Sequence, residues 1–292
     1  MNAMNNSSTA PSNPRRRLTR RQMLRGGISC LAAGSGVLGW AIVIEPRLLA
    51  LSFHDLHVPN LPLAWRGKRL VHISDLHVGR VTLSYLIRAM ETVEALEPDV
   101  LAITGDFVDH STAAWNDLNE VLSVIDSSSA LKVACVGNHD YGVGWSHTAS
   151  ADSVTTISQR YGIQVLRNEF VDIDGLRIVG LDDFWSPRFS PDPVLRESNP
   201  SQGAICLCHN PDVCDVADWR QFTGVILSGH THGGQCKPPF LPPPILPVVN
   251  HRYSAGFFDV GPGRQLFITR GIGHSRRVRF NCRPEIAVMS LS

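Results

Sequence analysis

Apolar runs that stop at metal-binding residue types recur along most of this chain, separated by stretches with helical spacing. Residues 70–74 form a dense run, Leu70-Val71-His72-Ile73-Ser74, which reads as an interior strand and ends at Asp75-Leu76-His77-Val78-Gly79. Leu83, Leu86, Ile87, Met90, Val93 and Leu96 then repeat at helical spacing until Pro98 closes the helix. Strand 100–104 runs into Gly105-Asp106-Phe107-Val108-Asp109. A helix over about 113–125 leads to strand 131–136, which ends in Gly137-Asn138-His139-Asp140. This repeat of strand, polar motif and helix predicts an α/β fold with a site gathered at strand ends.

The second half repeats the theme with shorter elements. A helix near 153–161 precedes strands at 163–166, 170–173 and 176–181, with a hairpin turn expected at 172–175. Strand 204–208 ends in His209-Asn210-Pro211-Asp212, and strand 224–227 ends in Ser228-Gly229-His230-Thr231-His232. A proline-rich loop, 238–247, resists regular structure, and terminal strands fall near 257–260, 265–269 and 286–291. Upstream, residues 51–58 alternate apolar and polar, with Leu51 and Phe53 expected inward and Leu56 and Val58 as further inward candidates. This segment holds a second Asp-x-His string, His54-Asp55-Leu56-His57, but inside an alternating strand with no glycine after it. It is expected to be a solvated edge strand.

A length of 292 residues with 43% hydrophobic composition supports one large core, here a catalytic domain over 51–292 behind an N-terminal appendage. The net charge of +1 hides an asymmetry: Arg15, Arg16, Arg17, Arg20, Arg21 and Arg25 all precede the first acid, Glu45. Without those six the chain has 21 basic against 26 acidic residues, about −5. That balance gives no footprint for nucleic acid, which is not an expected partner, and suits a body whose acids are offset by bound cations. Seven cysteines scattered through apolar runs argue against a disulfide framework.

Residues 1–25 read as a disordered basic leader, with 1–14 rich in Asn, Ser and Pro. Thr19-Arg20-Arg21-Gln22-Met23-Leu24-Arg25 resembles a twin-arginine export signal, and the uncharged stretch 26–44 follows it. No A-x-A cleavage site follows, and Gly27 stands where a lipidation signal before Cys30 would want leucine. The expectation is a retained or late-cleaved anchor that associates the protein with the membrane and leaves the body outside the cytoplasm.

The strand-end motifs are Asp75-x-His77, Gly105-Asp106, Gly137-Asn138-His139-Asp140, His209 and Gly229-His230-x-His232. They offer carboxylates, imidazoles and one neutral amide oxygen, a donor set suited to two adjacent divalent cations. In this order and spacing they resemble the calcineurin-like metallophosphoesterase superfamily from about residue 52 to the C-terminus. The resemblance implies a four-layer αββα sandwich, two mixed sheets flanked by helices. It also implies that Asp75, His77 and His232 hold one metal, that Asn138, His209 and His230 hold a second, and that Asp106 bridges them. The metals would be manganese, iron or zinc, with manganese favoured, and hydrolysis would proceed by a hydroxide shared between them. His139 would protonate the leaving oxygen, oriented by Asp140. The flanking glycines Gly105, Gly137 and Gly229 are expected to permit sharp turns.

Further strings, Gly180-Leu181-Asp182-Asp183, His209-Asn210-Pro211-Asp212 and Arg270-Gly271-Ile272-Gly273, narrow the resemblance to the exported or membrane-associated bacterial branch of YkuE- and YaeI-type phosphodiesterases. His274 and the lengthened proline-rich loop depart from it. The expected activity is phosphodiester hydrolysis of a small or phospholipid-like substrate. Alternatives are a UDP-2,3-diacylglucosamine-type pyrophosphatase, a phosphomonoesterase, or a metal-binding membrane scaffold without catalysis. Cys206, Cys208 and Cys214 are expected to be buried structural thiols rather than zinc ligands. Arg276, Arg277 and Arg279 either grip an anionic substrate or form a solvated face. Trp145, Trp185 and Phe184 line an apolar wall or pack the core, and His251 and His274 are open candidates for the pocket.

Overall fold

A computed structural model describes residues 19–110 and 114–292. Most of the leader therefore lies outside the described residues. Two units separate, one ending at Gly39 and the other Trp40–Ser292. The first contains helix α1, Arg20–Gly39, so residues 20–25 are helical rather than the disordered leader expected. Among the described residues no helix is long and apolar enough to cross a membrane.

The second unit holds two six-stranded mixed sheets. Among the described residues, twelve strands and five α-helices follow in chain order. β1 (Ala50–Leu56), β2 (Arg69–Ile73), α2 (Leu83–Ala95), β3 (Val100–Thr104), α3 (Ala114–Ser123), β4 (Leu131–Cys135), α4 (Thr148–Arg160) and β5 (Ile163–Val165) come first. Then come β6 (Glu169–Ile173), β7 (Leu176–Gly180), α5 (Asp192–Arg196), β8 (Ala204–Leu207), α6 (Val213–Val216), β9 (Gly224–Ser228), β10 (Gly256–Asp259), β11 (Arg264–Ile268) and β12 (Glu285–Leu291). The first sheet runs β1-β12-β2-β3-β4-β5 and the second β10-β11-β9-β8-β7-β6. β2 to β5 are parallel, as are β7, β8, β9 and β11. Asp174 and Gly175, both at positive φ, form the tight turn that joins antiparallel β6 and β7.

Alternation along each strand sorts its side chains into three cores. Val71, Ile73, Leu101 and Ile103 face outward onto Leu86, Met90 and Val93 of α2. Leu70, Val100 and Val133 point the other way and meet Ile178, Ile205, Val225 and Phe267 of the second sheet. On the far face of the second sheet, Val179, Cys206, Ile226 and Leu266 pack under Val194, Leu195, Trp219 and Phe222. The result is the αββα sandwich, with short helices on the second sheet's outer face. The six described cysteines are free, and Cys135, Cys206, Cys208 and Cys214 are buried thiols.

β1 is the expected edge strand, and Leu56 and Val58 are buried, but Leu51 and Phe53 face opposite to the expectation. Leu51 and Phe53 are exposed, while His54 sits against Phe257 and Phe267 at ring-centroid distances of 5.5 and 5.0 Å. Leu56 is buried between the sheets, and the period of two carries Ser52 and His54 to the same side. The string His54-Asp55-Leu56-His57 thus contributes to none of the ligand clusters found among the described residues.

Candidate metal centre

The parallel strands β2, β3 and β4 of one sheet and β8 and β9 of the other end at the same edge, and each delivers one of the motifs. Just beyond the strands, Asp75, His77, Asp106, His230 and His232 all adopt positive φ, at 57°, 47°, 53°, 69° and 50°. Left-handed backbone is disfavoured for residues with a Cβ, by roughly 1–3 kcal/mol each where it is strained, and persists only where surrounding bonds enforce it. Here those bonds are visible: Asp75 N–H donates to Gly105 O at 3.0 Å, His77 N–H to Asp106 O at 3.0 Å, and Gly273 N–H to Asp75 O at 2.7 Å.

The glycines serve the same convergence in two ways. Gly105 takes φ +80°, as a turn requires. Gly137 and Gly229 do not have positive φ, contrary to the expectation that each makes a turn. They allow close approach: a Cβ at Gly137 would overlap the Asp106 carboxylate, and one at Gly229 would overlap Ser74 Oγ and Asp75 Oδ2.

Two groups of buried ligand-type atoms result, Asp75 with His77 and His232, and Asp106 with His209 and His230, each within 4.8 Å. Asp106 Oδ2 stands between them, 3.6 Å from His77 Nε2 and 3.2 Å from His209 Nε2. His77 Nε2 faces His232 Nε2 at 3.1 Å, and His209 Nε2 faces His230 Nδ1 at 3.1 Å. For two of these rings the outer nitrogen fixes the tautomer: His209 Nδ1–H donates to Thr104 O at 2.7 Å and His230 Nε2–H to Pro247 O at 2.9 Å. Their inward nitrogens therefore present lone pairs to one another and need a proton or cation between them. Asp75 Oδ1 and Asn138 Oδ1 are buried with no hydrogen-bond partner. Such orphaned acceptors are costly unless a cation completes them. The residues present fit a dinuclear centre.

The titrating groups reflect this crowding. Burial pushes the His230 imidazole down to about 3. Burial would lower His209 too, but Asp106, Asp75 and Asp183 outweigh it and hold His209 up at about 10. Burial also raises the Asp75 carboxyl, with Asp106 adding to the rise. For His139, burial acts downward, yet Asp106 and Asp109 leave it raised.

His139 is oriented by Asp109, not by Asp140. His139 Nδ1 lies 3.0 Å from Asp109 Oδ1, and Asp109 also accepts from Arg80 Nε at 2.7 Å. Burial alone would raise the Asp109 carboxyl, but bonds from His139 and Arg80, with the His77 imidazole 3.8 Å away, hold it far below the carboxylate range. Asp140 instead accepts backbone N–H bonds from Gly137 at 2.8 Å and Val108 at 3.2 Å. It ties the loop after β3 to the loop after β4. His110 stacks on His139 with ring centroids 4.1 Å apart. Asp109 closes the string Gly105-Asp106-Phe107-Val108-Asp109, three residues past Asp106, and nothing in that spacing marks it as the partner of His139.

A cavity of about 430 Å³ opens over the centre, with Asp106, Asn138, His139, His230 and His232 on its floor. Trp145, Trp185, Pro244, Ile245 and Val278 form an apolar wall, and Arg276 is at its rim. Trp145 and Trp185 stack at 4.5 Å, and Trp185 meets His230 edge-on at 4.6 Å. Phe184 packs instead toward the outer core of the second sheet. His274 is buried and His251 exposed, and neither is among the residues lining the cavity. Arg279 is neither a substrate grip nor part of a solvated face. It is fully buried, and its guanidinium donates to the carbonyls of Cys282, Arg270 and Gly273 at 3.0, 2.8 and 2.5 Å.

Comparison with known proteins agrees with this geometry. The family model for calcineurin-like phosphoesterases matches residues 68–234. The chain is 31% identical to the metallophosphoesterase YkuE of Bacillus subtilis, over 94% of this chain and 98% of the relative. It is 31% identical to the phosphodiesterase YaeI of Escherichia coli, over 94% and 99%. It is 29% identical to the UDP-2,3-diacylglucosamine pyrophosphatase LpxG of Chlamydia muridarum, over 86% and 91%. The matched segment covers more than half of the chain and carries every candidate ligand from Asp75 to His232, and the chain belongs to the calcineurin-like phosphoesterase family.

Proposed function

We propose that this protein is a phosphodiesterase with a dinuclear metal centre, acting on a substrate at or outside the cytoplasmic membrane. The observation that carries the reading is the placement of Asp106 Oδ2 between two buried groups of inward-facing ligand atoms. Asp75, His77 and His232 would hold one divalent cation, Asn138, His209 and His230 the other, with Asp106 shared. Two cations bound there supply Lewis acidity at a phosphoryl oxygen and a water-derived nucleophile near neutral pH. The set mixes carboxylate, amide and imidazole donors without thiolate and suits manganese, iron or zinc, of which manganese is the favoured metal to test.

The remaining chemistry belongs to the chain. With Nδ1 engaged by Asp109, His139 has Nε2 left to give a proton to the leaving oxygen, and the nearby carboxylates favour its charged form. Arg276 at the cavity rim meets negative charge on the ester, and the Trp145–Trp185 pair keeps water from the far side of the site.

A pyrophosphate-linked lipid is the second reading, favoured by the apolar wall and by the relative LpxG. Export and membrane association rest on the twin-arginine-like string and the uncharged stretch that follows it. The test is turnover of bis(p-nitrophenyl) phosphate by manganese-loaded protein. An intact, metal-loaded protein inert toward diesters, monoesters and nucleotide-sugar lipids would overturn the proposal.

A further inference from the structure

Among the described residues of the second unit, the cavity opens beside exposed apolar side chains. Phe240 at the tip of the proline-rich loop is fully exposed, and Leu241 and Ile245 are 60% and 76% exposed. Ile245 also lines the cavity, so the exposed apolar surface runs into its mouth. Beside it lies a second exposed apolar element, the single turn Trp40–Ile44. The two are joined through the segment 279–282. Arg279 N–H donates to Ala41 O at 2.8 Å, and Lys237 N–H donates to Phe280 O at 2.9 Å.

The charges on these three segments have one sign. Residues 231–258 contain no acid and include exposed Lys237, and residues 271–284 contain no acid and include exposed Arg276 and Arg277. Arg47 is exposed beside the turn. Its one acid, Glu45, is buried and spent inward, accepting from Trp40 Nε1 at 2.8 Å and from Cys282 N at 2.6 Å. In a chain that is acidic beyond its leader, these segments present Lys237, Arg276, Arg277 and Arg47 outward around a projecting apolar tip. The segment after the loop bonds two acids at its foot, buried Asp212 through Val249 N and Asn250 N, and exposed Asp215 through the side chains of Asn250 and Tyr253.

We infer that this face docks the catalytic body on a lipid bilayer with anionic headgroups, Phe240 and Leu241 entering the acyl boundary while Lys237, Arg277 and Arg47 meet the headgroups. Apolar insertion combined with basic flanks is the pairing that holds proteins at such interfaces. The surface uses no candidate metal ligand, and it belongs to the body rather than to the basic leader. Proline rigidity lowers the entropy lost when the loop is held in the interface. A bilayer-held ester would reach the cavity along Ile245 without crossing bulk water.

The test uses the full chain with vesicles of phosphatidylglycerol and phosphatidylcholine carrying brominated acyl chains, which quench indoles that enter the bilayer. The emission added by Phe240→Trp is expected to fall about twofold or more on bound protein, as insertion to the acyl boundary requires. The emission added by Leu63→Trp, an exposed site in the turn that precedes β2, is expected to stay unchanged. Lys237→Gln with Arg277→Gln should raise the anionic lipid needed for half-quenching about 30-fold, at about 5-fold for each basic side chain. Turnover of a soluble diester reports whether each variant is folded, and Leu241→Trp gives a second position if Phe240→Trp is not. An unquenched added indole on vesicle-bound protein, equal quenching in pure phosphatidylcholine, or no vesicle binding would each overturn the inference.

Discussion

Replacing Asp109 by Asn separates what orients His139 from what builds the loops around it. The Asp109 side chain is 11% exposed and accepts from His139 Nδ1 at 3.0 Å and from Arg80 Nε at 2.7 Å. Asn keeps the shape and one acceptor oxygen but loses the charge. A hydrogen bond between charged partners is worth about 1.5–3 kcal/mol and a neutral one about 1, so the charged imidazole loses about 1–2 kcal/mol of support. At 1.36 kcal/mol per decade this is about a 5- to 30-fold loss of rate wherever leaving-group protonation limits turnover. The assay compares kcat on two diesters, one losing p-nitrophenol and one losing an alkyl alcohol, with bound metal measured in parallel. The p-nitrophenyl ester needs little protonation, so the loss should fall on the alkyl ester. Asp140→Asn is the comparison. It loses an acceptor for Gly137 or Val108, should cost about 1–3 kcal/mol of stability, and should leave the ratio of the two rates alone. Equal losses on both esters for Asp109→Asn, or a fall in bound metal that accounts for them, would refute the assignment.

The other expectations concern the metal centre and its frame. Chelation of the purified protein should lower Tm by about 5–10 °C for each site that was saturated a hundredfold above its Kd, and adding manganese back should restore it. An unchanged Tm on metal removal would argue against the two clusters as metal sites. Gly229→Ala places a methyl against Ser74 Oγ and Asp75 Oδ2, so bound metal measured by mass spectrometry should drop while far-UV circular dichroism keeps its sheet signal. Full metal occupancy in that variant would contradict the close approach. Arg279→Ala strips the carbonyls of Arg270, Gly273 and Cys282 of a charged donor and should cost about 3 kcal/mol or more in urea unfolding. A cost within the range of a surface substitution would show that water replaces the guanidinium.

Much of this architecture was legible before any coordinates, for a local reason. Val100–Thr104 is a strand buried along its whole length, so its apolar run has the same bounds in the sequence as in the fold. The ligands were legible because each stands just past such a run, and parallel strands must end at one edge. β1 misled because an edge strand has one face covered only at its end. Leu51 and Phe53 look like core residues, yet Leu56 sets the register and turns them outward. Arg279 misled for the opposite reason, since nothing local to Arg276-Arg277-Val278-Arg279 marks the last arginine as the one whose guanidinium meets five backbone carbonyls. Asp109 and Asp140 each lie within a motif, and either could have served His139. Only the distances separate them.

The sequence by itself determined the order of strands and helices, the family, and which side chains have the chemistry for two metals, because periodicity, spacing and donor type are properties of the chain. Tertiary structure decided the pairings. The left-handed backbone at Asp75, His77, Asp106, His230 and His232, the tautomers set by Thr104 and Pro247 carbonyls, and the grip of Asp109 on His139 arise between segments far apart in the chain. The motif Asp75-Leu76-His77 shows the division: its letters recur in Asp55-Leu56-His57, and what makes one of them part of a candidate ligand cluster is that its strand ends inside the sheet, opposite His232.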